Sequence, residues 1–115
     1  MSLEDSMKDS MLAAIDTDVS HLGLHSAFPA SLANELAGGT PAYARQAVAW
    51  DAPSGGAIAM TGTEVFDIEG GDTVSAVGLH NALTAGTIQG GADVTDEAFG
   101  AQGTYTLTAL TVTIT

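Results

Sequence analysis

Gly38-Gly39-Thr40-Pro41-Ala42-Tyr43-Ala44-Arg45-Gln46-Ala47-Val48-Ala49-Trp50 runs from turn-forming residues to the only tryptophan of the chain, and carries its only arginine. Gly-Gly and Pro are turn chemistry. Proline fixes φ and lacks an N–H, so Pro41 suits the first position of a strand better than its middle. No breaker follows, and a strand over Tyr43–Trp50 is expected. Its side chains would alternate, with Tyr43, Arg45, Ala47 and Ala49 on one face and Ala44, Gln46, Val48 and Trp50 on the other. Neither face is purely apolar. Such a strand has its Trp end in a core and its Arg end beside a polar partner. Asn34-Glu35-Leu36 lies just before the Gly-Gly turn, which makes Glu35 the expected partner of Arg45 across it. The bland alternative is a solvated Arg45, because exposed ion pairs contribute only ~0–1 kcal/mol.

Outward from this stretch, the chain reads as short strands joined by tight turns. Its 115 residues suit one domain. Fourteen glycines dispersed among many threonines argue against a helical bundle. The exception is Ser2–Ile15, read as a helix: Ser2 can cap it, Glu4 and Asp5 suit its positive end, and Leu3, Met7, Met11 and Ile15 recur every four residues. That stripe needs either the sheet or a neighbouring subunit to lie on. Strands are expected at Val19–His25, Ala57–Met60, Thr63–Ile68, Thr73–His80 and Thr87–Gln89. Gly90-Gly91 would close the last of these, and Ala92–Gly103 would be an acidic loop anchored by Phe99. In the terminal strand Thr104–Thr115 the apolar positions switch from odd (Tyr105, Leu107, Ala109) to even (Leu110, Val112, Ile114). A one-residue slip reverses every side chain, so a bulge or a crossover between sheets is expected at Ala109-Leu110. The expected fold is mainly β: an antiparallel β-sandwich, jelly-roll-like, over residues 17–115, with an N-terminal helix or arm over residues 1–16.

Two segments echo each other. VSHLGLH at 19–25 and VSAVGLH at 74–80 agree in five of seven positions. Gly23 and Gly78 then sit mid-strand, where glycine marks a bulge or the close approach of another backbone. His25 and His80 end the echoing strands and could meet, with a carboxylate such as Asp72 nearby. Ordinary hydrogen-bonded histidines are the expected role, and neither a metal site nor a cofactor is expected. Asp93, Asp96 and Glu97 read as a solvated acidic group, because the spacing of a calcium loop is missing. No serine elbow and no phosphate-cradling glycine loop occurs. Without cysteine there is no thiolate chemistry. The chain reads as a non-enzyme with no catalytic residues. A formal charge of −12 repels phosphate backbones, so nucleic acid is not an expected partner. No apolar run reaches ~20 residues and no basic stretch leads into one, so neither a membrane span nor a secretory leader is expected.

Four pieces together carry a resemblance: LGLHSAFP at 22–29, ANELAGGTPAYARQAVAW at 33–50, TVSAVGLHNA at 73–82 and FGAQGTYTLTALTVTIT at 99–115. The second is the most specific, with Asn-Glu, Gly-Gly, Tyr-Ala-Arg-Gln and Trp in order. In these the chain resembles a family of small structural proteins of tailed phages, of the actinobacteriophage type labelled tail fibre or minor tail protein. It departs at Ser26-Ala27-Phe28-Pro29 and at His80, where the family has an aromatic. The resemblance implies a virion part and a β-sandwich. A fibre is a long trimer with shaft repeats or coiled coil, and neither is present here. A lone acidic β domain with a short helix is better shaped to decorate a capsid. The expectation is therefore a homo-oligomer, a trimer, bound to the major capsid protein or other virion proteins. Tail tip is the alternative, and a carbohydrate-binding adhesin comes last for want of exposed aromatics. The residues expected to carry structure or interface are Glu35, Arg45, Tyr43, Trp50, Leu3, Met7 and Met11.

Overall fold

The computed structural model describes residues 2–114. Met1 of the expected arm and Thr115 of the expected terminal strand lie outside them. The fold is mainly β and antiparallel, with one α-helix near the N-terminus. Helix α1 spans Asp5–Asp18, and the strands are β1 His21–His25, β2 Gln46–Ala47, β3 Ala57–Ala59 and β4 Glu64–Ile68. They continue as β5 Thr73–His80, β6 Ile88–Ala98, β7 Gly103–Leu107 and β8 Thr111–Thr113. They form one four-stranded sheet in the order β2-β1-β5-β6 and two two-stranded ladders, β3–β8 and β4–β7. A jelly roll would instead distribute eight strands over two Greek keys.

The helix starts later than Ser2 implied. Glu4 holds the N-cap position without a side-chain bond, and the helix continues through Asp16-Thr17-Asp18. The face turned to the β domain is also offset from the expected stripe. Leu12 is buried and Ile15 packs on the core, while the Asp9 carboxylate accepts the Gly56 N–H at 2.8 Å. Leu3, Met7 and Met11 face outward. The expected stripe is divided: Ile15 reaches the core, Met7 and Met11 stay exposed, and Leu3 precedes the helix.

The expected strand Tyr43–Trp50 shrinks to Gln46–Ala47, plus an isolated bridge from Trp50 to Met60. Pro41 lies in the preceding turn rather than opening a strand. Burial explains the break: Tyr43 and Arg45 turn inward, and then Gln46, Val48 and Trp50 do, so the alternation slips between Arg45 and Gln46. The edge of β1 is completed by other means. The Leu24 N–H donates to the Tyr43 hydroxyl at 2.9 Å, and the Leu36 N–H to the Leu24 carbonyl at 3.0 Å. A side-chain hydroxyl stands where a strand backbone was expected.

The expected loop at 92–103 is also overturned. β6 runs eleven residues, through Gly90-Gly91 and the acids Asp93, Asp96 and Glu97, which lie exposed along it. Gly91 faces Gly78 across the ladder, and a Cβ on it would lie 3.0 Å from the Val77 carbonyl oxygen. Gly91 thus serves close strand packing, and neither glycine makes a turn. The Phe99 N–H donates to the Asp72 carbonyl at 2.8 Å and closes the far end. The terminal segment breaks between Leu107 and Thr111, leaving the β4 ladder for the β3 ladder as its inward positions change parity. That is the crossover read from its pattern.

β5 is buried on both faces. One face of the β1–β5 pair presents Leu22, Leu24, Val77 and Leu79 to the apolar core with Phe66, Ile58 and Trp50. The other face holds the buried histidines, with the Glu35 carboxylate beside them.

Candidate functional site

β1 and β5, the two echoing segments, pair antiparallel, with His21 opposite His80, Gly23 opposite Gly78, and His25 opposite Ala76. Directly opposed residues share a face, so both glycines and all three histidines line one side. His25 and His80 stand four register positions apart, ~13 Å at ~3.3 Å per residue. Their rings lie down over the glycine pair and meet in the middle. The two Nε2 atoms are 3.0 Å apart, with the ring planes 6° from parallel and the centroids 5.2 Å apart. Centroids separated by that much more than the facing nitrogens place the rings edge to edge in one plane, not one above the other. A Cβ on Gly23 would lie 2.7 Å from His80 Nε2, and one on Gly78 would overlap His25 Nε2. Here the close approach expected at mid-strand glycines is made by imidazole rings rather than by backbone.

Beside the rings lies an ion pair. Arg45 Nε and Nη2 donate to Glu35 Oε2 and Oε1, each at 2.8 Å, as a two-pronged fork. The turn between the two residues is the one the sequence marks with Gly38-Gly39. Arg45 Nη1 donates to the Ala82 and Ala85 carbonyls at 2.9 Å each, so four of the five guanidinium N–H groups are engaged. Tyr43 donates its hydroxyl proton to Glu35 Oε2 at 2.8 Å. Its ring runs nearly parallel to that of Phe66. Burial works against an ionised Glu35, but the bonds from Arg45 and Tyr43 outweigh it and hold its carboxyl below the usual range. Burial, reinforced by Glu35, raises Tyr43 and keeps it a phenol. Trp50 donates its indole N–H to the Val19 carbonyl at 3.0 Å, on the apolar side.

Glu35, Arg45 and Tyr43 thus form one centre, Trp50 serves the core, and Met7 and Met11 on the helix, with Leu3 just before it, lie apart and exposed. Asp72 lies in the turn before β5, at the end opposite His80, and takes no part in the histidine pair. Among the described residues no three His, Cys, Asp or Glu side chains gather as a metal set. A cleft of about 350 Å³ opens next to the ion pair, walled by Leu36, Ala44 and Leu83. The charges on its wall, Glu35 and Arg45, are committed to one another. Sequence reasoning missed Asn34, whose side chain binds His25 and organises the 26–34 loop, and the carbonyls that receive Arg45. An Asn immediately before the paired Glu was the available signal.

No family model matches the chain, and neither does any curated protein or solved structure. No helix among the described residues is long and apolar enough to cross a membrane.

Proposed function

We propose that this chain is a non-enzymatic structural protein of a tailed-virus particle, decorating the capsid as an oligomer and gripping the shell with its N-terminal helix. The observation that supports this reading is the uncovered apolar surface of Met7 and Met11 on the helix and of Leu3 just before it, exposed at 52, 49 and 38 %. The opposite side of the helix already packs on the β domain, so folding makes no use of the stripe. Apolar side chains grouped on a surface and rimmed by polar ones mark contact sites. The rim here is acidic, with Glu4, Asp5, Asp16 and Asp18 exposed. Both cations are occupied, Lys8 beside Asp5 at 3.8 Å and Arg45 on Glu35. The surface that receives the helix is therefore apolar with a basic border, and the major capsid protein supplies it. A trimer at a threefold position would set three such helices against the shell.

Copy number in purified particles tests the reading. Hundreds of copies fit a shell protein, a handful moves the chain to the tail, and absence from the particle ends the proposal. Met7→Ser with Met11→Ser should release it from the shell while leaving the domain folded. Retention of that variant on particles would remove the helix from the account.

A further inference from the structure

The proton positions in the histidine pair follow from its neighbours. Asn34 Nδ2 donates to the Ala27 and Pro29 carbonyls, at 3.4 and 3.1 Å, which fixes the amide so that Oδ1 is the acceptor. Asn34 Oδ1 receives the Ser31 N–H at 2.9 Å and lies 2.9 Å from His25 Nδ1. His25 Nδ1 therefore carries a hydrogen, and in a neutral ring Nε2 is bare. His80 Nε2 must then supply the proton of the 3.0 Å bond, which leaves His80 Nδ1 bare. That atom is the one buried side-chain nitrogen or oxygen without a partner among the described residues.

Now add one proton. The central N···N bond holds only one hydrogen, and His25 Nδ1 is already occupied. The third hydrogen of the pair must sit on His80 Nδ1, whichever ring takes the charge. A lone pair without a donor becomes an N–H without an acceptor, in a fully buried pair that now carries a positive charge. None of the groups around it accepts a bond from that nitrogen. Glu35 is held by Arg45 and Tyr43, and Arg45 is itself a cation. His21 faces His80 from β1, and the β6 neighbour is the uncharged Ile88.

We infer that the His25–His80 pair is a proton-sensitive lock on the seam between β1 and β5, closed when neutral and released by uptake of a single proton in mild acid. Burial first, and Arg45 second, push His80 down to about 4, outweighing the attraction of the Glu35 carboxylate, which acts the other way. An unfolded histidine titrates near ~6.5, so between these values the unfolded chain binds a proton that the folded one refuses. The stabilisation is complete above ~6.5 and is lost as pH falls toward the folded value. Ordinary carboxylates titrate near ~4, below most of that window.

Two measurements on the full chain test this. Urea unfolding from about pH 7.5 to about 4.5 should show the unfolding constant rising roughly tenfold per pH unit below ~6. In His80→Gln, whose amide can still donate to His25 Nε2 but does not titrate, that dependence should flatten. Equal slopes in the two proteins would overturn the inference. Nitrogen-15 NMR of the unaltered protein decides the matter even if the variant does not fold. It should show hydrogen on His25 Nδ1 and His80 Nε2 near neutral pH. The opposite tautomers, or a folded His80 that titrates above ~6, would overturn it as well.

Discussion

The two halves of the buried polar centre lie side by side on one face of the β1–β5 pair and are built on opposite plans. In the Glu35 half every charge is present and every charge is answered: a two-pronged ion pair, a phenol and two carbonyls close around one another. In the His80 half no charge is needed, and one nitrogen stays unanswered. Burying a charge costs a great deal unless it is paired and hydrogen-bonded, whereas a bare lone pair on a neutral ring costs far less. The first half tolerates mild acid and not loss of a partner. The second tolerates neither a proton nor a methyl group.

The largest effect should come from Arg45→Ala. It strands Glu35 in the interior and frees the Ala82 and Ala85 carbonyls, so urea unfolding should record a loss of about 3–5 kcal/mol. A loss below ~1 kcal/mol would mean that the pair behaves as a surface one and that the two halves do not differ in kind. Glu35→Gln should also destabilise, though less, because an amide oxygen still accepts from Arg45.

Next in size is the pH ramp. Depressed from ~6.5 to about 4, His80 accounts for about 3 kcal/mol at ~1.4 kcal/mol per pH unit, surrendered between those values as the solution is acidified. Glu35 works in the other order. Its folded carboxyl is held below the ordinary ~4.3, so its contribution persists through the histidine window and fails only in stronger acid. Acid unfolding should therefore lose the histidine half first. A single transition confined to the carboxylate range would erase the distinction.

A smaller effect separates the glycines. Gly78→Ala puts a methyl into the meeting point of the two rings and should cost about 1–3 kcal/mol by thermal or urea unfolding. Gly90→Ala is the matched control in the adjacent strand, since its Cβ would meet Leu79 Cδ1 at an ordinary 3.7 Å. That change should be neutral or mildly stabilising through the unfolded chain. Equal losses would show that strand glycines matter here for backbone reasons and not for the rings.

The same contrast shows which parts of the sequence were legible. Gly38-Gly39 announces a turn, and one arginine and one glutamate flank it, so the ion pair could be read from local chemistry. The parity switch before Leu110 is equally local, and the sheet change follows from it. The histidine pair was visible only as an echo. Its meaning depends on Gly23 falling opposite Gly78, a register that no single strand contains. Gly90-Gly91 misled for the converse reason: the dipeptide is turn chemistry in isolation, but both residues lie within β6, and Gly91, opposite Gly78, becomes a packing device. Tyr43–Trp50 looked like one strand because nothing local forbids it. Its N-terminal half is drawn off by tertiary bonds of Tyr43 and Arg45 that no periodicity encodes.

The smallest effect on the fold is expected at the helix, and there the smallness is the point. Met7 and Met11 make no contribution to the core, so Met7→Ser with Met11→Ser should shift unfolding by no more than ~0.5 kcal/mol. Against Arg45→Ala this sets a scale: one buried cation matters several times more to the domain than two exposed apolar side chains. A stripe that the fold does not need is either incidental or reserved for contact with something else. Particle binding tells these apart, because an incidental stripe can be made polar without consequence and a docking stripe cannot. If the double substitution instead destabilises the domain by several kcal/mol, the helix belongs to the core on both faces. The surface assigned to the shell would then not exist.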